Sequence, residues 1–158
     1  MSNGEKQLFE PVPVDQRMQE LLNLIRDNNE SWILTPKTDQ LVFNSLAIDD
    51  ILNKLRELYD LEKECLAYTD LCEYVIQNIL KEQNGRLLEL IRTDPDKWKE
   101  YGRNDFNRQT FVNSENEDLL NFRAYKHTLK IGIEQIQSAI KLYNRILSVK
   151  VVEQFGSV

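Results

Sequence analysis

The 158 residues are 41% hydrophobic and 29% charged, with a formal net charge of −6 and only five Gly and four Pro. This length and hydrophobic content suit one folded domain, and the few Gly and Pro exclude a low-complexity chain or an all-β protein with frequent tight turns. No run of apolar residues reaches the length of about 18 that a membrane-spanning helix needs.

The N-terminal residues, MSNGEKQLFE, lack the apolar core of a secretory signal, and Ser2 stands where myristoylation requires Gly. We therefore expect a soluble intracellular protein, cytoplasmic or nuclear. Pro11 and Pro13 favour extended backbone. Residues 1–14 are accordingly predicted to form an extended tail, and residues 15–158 a single helical domain.

A first helix is predicted over about residues 15–29, with Asp15 as its N-cap. Its apolar residues recur at helical spacing: Met18, Leu21, Leu22 and Ile25. The segment SWILTPKTDQLVFN then favours an ordered, extended connector. Its Thr35-Pro36 pair matches a proline-directed kinase site, but such motifs are common, and the sequence does not tell whether Thr35 is modified.

The longest helical pattern covers about residues 45–84. Its apolar positions fill heptad positions a, d and e, with more at g, so the stripe is too wide for a two-stranded coiled coil and needs more than one neighbour. The e positions are Leu52, Tyr59, Leu66 and Leu80. Cys65 and Cys72 lie about 10 Å apart along this helix, too far for a disulfide, and are expected to be buried thiols.

Gly85 weakens this pattern, so a short, broken helical stretch is predicted over about residues 86–101, in which the long helix first continues through Ile91. Inside it, Asp94 as cap, Pro95 at the first position and Gly102 as terminator indicate a new helix. The following segment, RNDFNRQTFVN, is polar and is predicted to be a loop.

The last helix is predicted over about residues 115–154, opened by a capping box of Ser114 and Glu117. From Phe122 to Leu147 the pattern positions alternate steps of four and three, with Lys126 as the one polar member. This spacing predicts a continuous seam for binding a partner. The seam residues are Leu129, Ile133, Ile136, Ile140, Tyr143 and Leu147.

The two long helices differ in charge. Nine acids and four bases lie between Ser45 and Glu82, whereas six bases and one acid lie between Arg123 and Lys150. We therefore predict an all-α fold, an elongated helical bundle or coiled-coil hairpin of three to four helices with two long helices. Burial of the apolar stripes would drive the pairing, and charge would select register.

Such a hairpin leaves a surplus of apolar residues: Leu61, Tyr68, Val75, Trp98, Tyr101, Leu120 and Ile131. Part of this surface is expected to meet another protein chain, in a homo- or hetero-oligomer. The favoured function is a non-enzymatic structural or adaptor subunit of a multiprotein assembly. The predicted seam either binds the partner or forms the core within the chain.

Nothing in the sequence indicates catalysis. His127 is the single histidine, and there is no Cys/His spacing for a metal, no Gly-rich phosphate loop and no Gly-x-Ser-x-Gly motif. We expect no enzymatic activity, no metal and no cofactor. His127 is expected to be a solvated or half-buried helix residue.

Binding of single-stranded nucleic acid is the alternative function. In the predicted loop, Arg103 and Arg108 could contact phosphates while Phe106 and Phe111 stack on bases. The net charge of −6 opposes attraction to phosphate, so nucleic acid is the less favoured partner.

The stretch NRILSVKVVEQFG is similar, in Arg145, Val149, Lys150 and Phe155, to the end of the phage recombination mediators. That resemblance would imply the loading of a recombinase on single strands. The acidic first two-thirds of the chain departs from those proteins, so no family is assigned.

Overall fold

The computed structural model describes residues 14–27, 47–113 and 116–156. Over these ranges the chain forms five helices and no strand, which confirms the predicted all-α class. The helices are α1 (Gln16–Arg26), α2 (Ile48–Thr93), α3 (Pro95–Gly102), α4 (Asp105–Asn113) and α5 (Glu117–Phe155). Three predicted features lie outside the described residues: the tail except for Val14, the connector with Thr35, and the capping residue Ser114.

The described residues divide into two compact units. Unit A contains α1, α2 as far as Thr69, and α5 from Lys126 onward. Unit B contains α2 from Asp70, the short helices α3 and α4, and α5 as far as Tyr125. The single domain over residues 15–158 and the packing of the long helices as a bundle or hairpin stay predictions.

Unit A buries one apolar stripe from each of its three helical segments. The buried residues are Met18, Leu21, Leu22 and Ile25 of α1, then Ile51, Leu55, Leu58, Leu61 and Cys65 of α2, and Leu129, Ile133, Ile136, Ala139, Ile140 and Tyr143 of α5. Burying a large aliphatic side chain contributes about 1.5–3 kcal/mol, so these stripes are the main source of stability in the unit.

Polar contacts at the start of α1 attach it to α2. Asp15 caps α1 as predicted: its Oδ1 accepts from the backbone N–H of Arg17 at 2.7 Å, while its Oδ2 accepts from the Tyr68 hydroxyl at 3.2 Å. The Arg17 guanidinium donates twice to the Glu64 carboxylate, at 2.6 and 2.8 Å. These hydrogen bonds from Arg17 lower the pKa of Glu64.

Helices α1 and α5 approach each other closely at Gly132. A Cβ atom added to this buried glycine would lie 2.6 Å from Cγ1 of Ile25, closer than side-chain carbons come to one another. The absence of a side chain at Gly132 therefore permits this approach.

Helix α2 runs unbroken through Gly85 to Thr93, so the predicted break near residues 84–86 is wrong, and the short continuation predicted through Ile91 belongs to the same helix. Ile79, Gln83 and Leu87, spaced four residues apart across Gly85, are all buried. Their burial on both sides of the glycine outweighs its helix-propensity cost of about 1 kcal/mol.

The predicted loop after α3 is also wrong, because RNDFNRQTFVN contains helix α4. Its N-cap is Asn104, whose Oδ1 accepts from the backbone N–H of Asn107 at 2.8 Å. Helix α3 covers the predicted span from Pro95 to Gly102, although the Asp94 side chain makes no capping hydrogen bond.

Helix α5 begins two residues after the predicted start and is capped by Asn116. The Asn116 Oδ1 accepts from the backbone N–H of Leu119 at 3.0 Å, and Asn116 is only 5% exposed. Helix α1 ends at Arg26, earlier than predicted, where the backbone N–H of Asp27 closes the last turn onto Asn23 at 2.9 Å.

Candidate functional site

The predicted seam on α5 lies mostly inside unit A. Leu129, Ile133, Ile136, Ile140 and Tyr143 are buried, and Leu147 is half-buried. Burial also raises the pKa of the Tyr143 hydroxyl. Partner binding by this seam stays a prediction, and the burial favours the other interpretation, a core within the chain.

A different row of apolar side chains is exposed on α2. Leu52, Tyr59 and Leu66 are 45%, 47% and 46% exposed. Since residues seven apart fall about 20° apart around a helix, the three side chains form one stripe about 21 Å long. This stripe is large enough to contact a helix of another chain.

Helix α5 carries a second exposed stripe beside it in unit A. The Asn144 amide donates to the Tyr59 hydroxyl at 3.5 Å, which brings the two helices together at the surface. Val151 and Phe155, seven and eleven residues after Asn144, share its side of α5 and are 39% and 69% exposed. We call Leu52, Tyr59, Leu66, Asn144, Val151 and Phe155 the α2–α5 face.

The two sides of the α2–α5 face differ in charge. In unit A, the described part of α2 carries six acids and three bases, whereas α5 from Lys126 carries five bases and two acids. The acids of α2 include Asp49, Asp60 and Glu62, and the bases of α5 include Lys141 and Arg145. An acidic helix therefore lies beside a basic one across an apolar strip.

Unit B contains an aromatic cluster that joins α3 to α4. The ring centroids of Trp98, Tyr101 and Phe111 lie 5.5 to 5.9 Å apart, in tilted and edge-on arrangements. Such pairs each contribute about 0.5–1.5 kcal/mol beyond the area they bury. The cluster fixes the two short helices against each other.

Only two of the four residues predicted to bind nucleic acid line a common pocket. Phe111 belongs to the aromatic cluster, and Phe106 is 79% exposed on α4. Arg103 and Arg108 instead line an open pocket of about 320 Å³. The structure thus brings the two arginines together at one pocket, which neither phenylalanine lines.

We call this pocket the cationic pocket. It has an apolar wall and a cationic wall. Helix α2 supplies the apolar side chains of Leu87, Leu88 and Ile91, while Lys99, Gly102, Arg103 and Arg108 come from α3, α4 and the turn between them. Three cations and no carboxylate line it. A Cβ on Gly102 would lie 2.6 Å from Cδ1 of Ile91, so the end of α3 rests directly on the apolar wall.

Both cysteines are buried free thiols, as predicted. Burial raises the pKa of the Cys65 thiol to about 11, so it stays protonated and unreactive at neutral pH. Among the residues that the structure describes, no three His, Cys, Asp or Glu side chains lie close enough together to hold a metal ion. The lack of enzymatic activity stays a prediction.

The helices of the described ranges include none that is both long and apolar enough to span a bilayer. Comparisons of the chain with protein-family models, with curated proteins and with solved structures give no match.

The sequence analysis assigned Leu52, Tyr59 and Leu66 to the wide apolar stripe of the long helix. It expected the apolar residues left uncovered by a hairpin to be others. Leu61, expected in that surplus, is buried, whereas Leu120 and Ile131 are exposed as expected. The signal for the exposed row was available, since these leucines and the tyrosine repeat every seven residues at the edge of the stripe.

Lys99 was also missed as a site residue. Lys99 and Arg103 are four residues apart, so both cations lie on the same side of a helical turn. This spacing could have predicted that they belong to one site. The three aliphatic residues of α2 that face them could not be assigned from the sequence, because the pocket depends on how α3 and α4 pack against α2.

Proposed function

We propose that this protein is a non-enzymatic helical subunit of a protein assembly and that the α2–α5 face binds a second copy of the chain. The observation that carries the proposal is the aligned exposure of Leu52, Tyr59 and Leu66 on α2. Single exposed leucines are ordinary on protein surfaces, but an exposed apolar stripe is typical of an interface.

Charge complementarity favours a second copy as the occupant. A two-fold axis across the α2–α5 face would place the acidic α2 of one copy on the basic α5 of the other, and the reverse. The same pairing would bring the exposed apolar side chains of α2 in one copy against those of α5 in the other. Apolar burial would provide the affinity, and the opposite charges would set the register.

The test is the solution mass, measured by light scattering after size exclusion. The chain has a mass of 18.7 kDa, and we expect the wild type to elute at twice that value. A Leu52→Ser, Leu66→Ser variant is expected to be monomeric with unchanged helical circular dichroism, because both side chains are already 45% and 46% exposed and contribute little to the core.

The matched control replaces two other exposed leucines, Leu71→Ser and Leu120→Ser, which are 42% and 62% exposed in unit B. This control should remain dimeric. A monomeric wild type would contradict binding of a second copy and leave the face to a different protein. A dimer that survives the Leu52 and Leu66 changes would show that association uses another surface.

A further inference from the structure

The cationic pocket carries a local charge opposite to that of the whole chain. The chain has a net charge of −6, yet Lys99, Arg103 and Arg108 line the pocket without any carboxylate. Arg103 is paired with Glu100 at 3.1 Å on the surface, whereas Lys99 and Arg108 form no ion pair with any described residue. The pocket wall therefore has cationic capacity that the described part of the chain does not neutralise.

The pocket is built before any ligand arrives. The Trp98, Tyr101 and Phe111 cluster fixes α3 to α4, and a hydrogen bond of 3.0 Å from the Asn107 amide to the Glu100 carbonyl joins them a second time. A wall that is already ordered loses little conformational entropy on binding. The cations are thus presented at fixed positions beside the apolar wall.

We infer that the cationic pocket binds an acidic segment of another protein, with one apolar side chain against Leu87, Leu88 and Ile91 and flanking carboxylates on Lys99, Arg103 and Arg108. The volume of about 320 Å³ lies at the low end for small-molecule sites and suits one or two large side chains. The cations come from separate positions along α3 and α4, which matches carboxylates in series better than one isolated anion.

A peptide fits the pocket better than single-stranded nucleic acid does. Binding of single strands depends on aromatic faces on which the bases stack. The apolar wall here is aliphatic, and the most exposed aromatic residue of unit B, Phe106, does not line the pocket. The phosphate-contacting arginines of the sequence-based alternative are therefore present without the stacking surface.

The inference goes beyond the proposed self-association, because the pocket lies wholly in unit B and the α2–α5 face wholly in unit A. The full-length chain would be titrated into a fluorescein-labelled hexapeptide, Glu-Glu-Leu-Phe-Glu-Glu, and followed by fluorescence anisotropy. The matched probe replaces all four glutamates by glutamine. We expect saturable binding of the acidic peptide and at least about tenfold weaker binding of the neutral one at low salt.

Two variants locate the binding. Arg103→Gln with Arg108→Gln should weaken binding of the acidic peptide about tenfold or more, because both pocket arginines lose their charge. Arg26→Gln with Arg92→Gln changes the net charge equally at exposed positions outside the pocket, so it should stay within about twofold of the wild type.

The apolar wall is tested by Leu88→Ser, with Leu120→Ser as the control on a surface outside the pocket; the two leucines are 57% and 62% exposed. Only the Leu88→Ser change should weaken binding of the acidic peptide. Equal binding of the acidic and neutral peptides, no saturable binding, or no loss in the arginine variant would each overturn the proposal. Tighter, arginine-dependent binding of a labelled oligothymidylate would overturn it in favour of nucleic acid.

Discussion

Two glycines within the long helices have opposite structural roles. Gly132 is buried where α1 crosses α5, and any Cβ there collides with the β-branched side chain of Ile25. Gly85 in α2 is exposed, and an added Cβ would meet nothing within 4 Å. The sequence shows both as glycines in helical patterns, so only the packing distinguishes them.

Replacing each glycine by alanine should therefore change stability in opposite directions. Gly85→Ala is expected to raise the free energy of unfolding by about 0.5–1 kcal/mol, because alanine has the higher helix propensity and restricts the unfolded chain. Gly132→Ala is expected to lower it by about 1–3 kcal/mol through overpacking against Ile25. Urea unfolding followed by circular dichroism measures both, and a stabilising Gly132→Ala would disprove the close approach.

The Arg17–Glu64 contact predicts an acid-dependent contribution to stability. Hydrogen bonds from Arg17 lower the pKa of Glu64 from its ordinary value of 4.5. The unfolded chain therefore binds a proton here at a higher pH than the folded chain does. The contribution is fully present above pH 4.5 and is lost as the pH falls through the lower, folded pKa.

A Glu64→Gln variant should lose about 0.5–1 kcal/mol of unfolding free energy at neutral pH, since the pair is bidentate but partly solvated. The difference from the wild type should shrink as the pH is lowered below 4.5. Glu89→Gln, which breaks the exposed contact to Arg92 within one helix, is the control and should change stability less. If the loss of unfolding free energy in Glu64→Gln grew as the pH fell, the stabilising role of the ionised Glu64 carboxylate would be contradicted.

At the scale of helices, the sequence predicted the all-α class and the apolar periodicity well. The helical residues Met18 to Ile25 of α1 and the pattern of α5 were placed correctly, because their burial follows the 3.6-residue repeat. The structure differs where tertiary packing overrides a local signal. Gly85 suggested a helix end, but buried Gln83 and Leu87 continue α2 past it.

The missed helix α4 has a different cause. Its segment is polar and weakly amphipathic, so periodicity gave no signal, and the helix depends on its Asn104 cap and on Phe111 in the aromatic cluster. The cationic pocket could not be predicted for the same reason. Its walls require α2 to extend past residue 85 and α3 and α4 to pack together.

The start of α5 should depend strongly on Asn116, whose side chain is buried and caps the Leu119 N–H. Asn116→Ala is expected to lower the free energy of unfolding by about 1–2 kcal/mol, while Asn116→Asp retains the capping acceptor and should cost less. Asn53→Ala, at an exposed position inside α2, is the matched control and should be neutral or slightly stabilising. Denaturant midpoints of the three variants decide the matter, and equal losses at residues 116 and 53 would exclude a capping role.

At the scale of the whole molecule, charge is distributed unevenly rather than merely being negative. The acidic α2 and the basic α5 lie side by side in unit A, while unit B gathers three cations around one pocket. The two proposed interfaces therefore use electrostatics differently. On the α2–α5 face, charge adds to apolar burial, whereas in the cationic pocket it provides the recognition itself.

This difference predicts two distinct responses to salt. Raising the ionic strength from about 0.1 M to about 1 M shortens the screening length from about 10 Å to about 3 Å and leaves apolar burial intact. We expect the dimer mass to persist in light scattering at both salt concentrations, because Leu52, Tyr59 and Leu66 provide most of the affinity. Binding of the acidic peptide, measured by anisotropy, should be mostly lost at the higher salt concentration, because Lys99, Arg103 and Arg108 attract the peptide through their charge. A dimer that dissociates in salt would instead mean that the acidic α2 and basic α5 associate mainly through their charges, with the apolar stripe as a minor contribution.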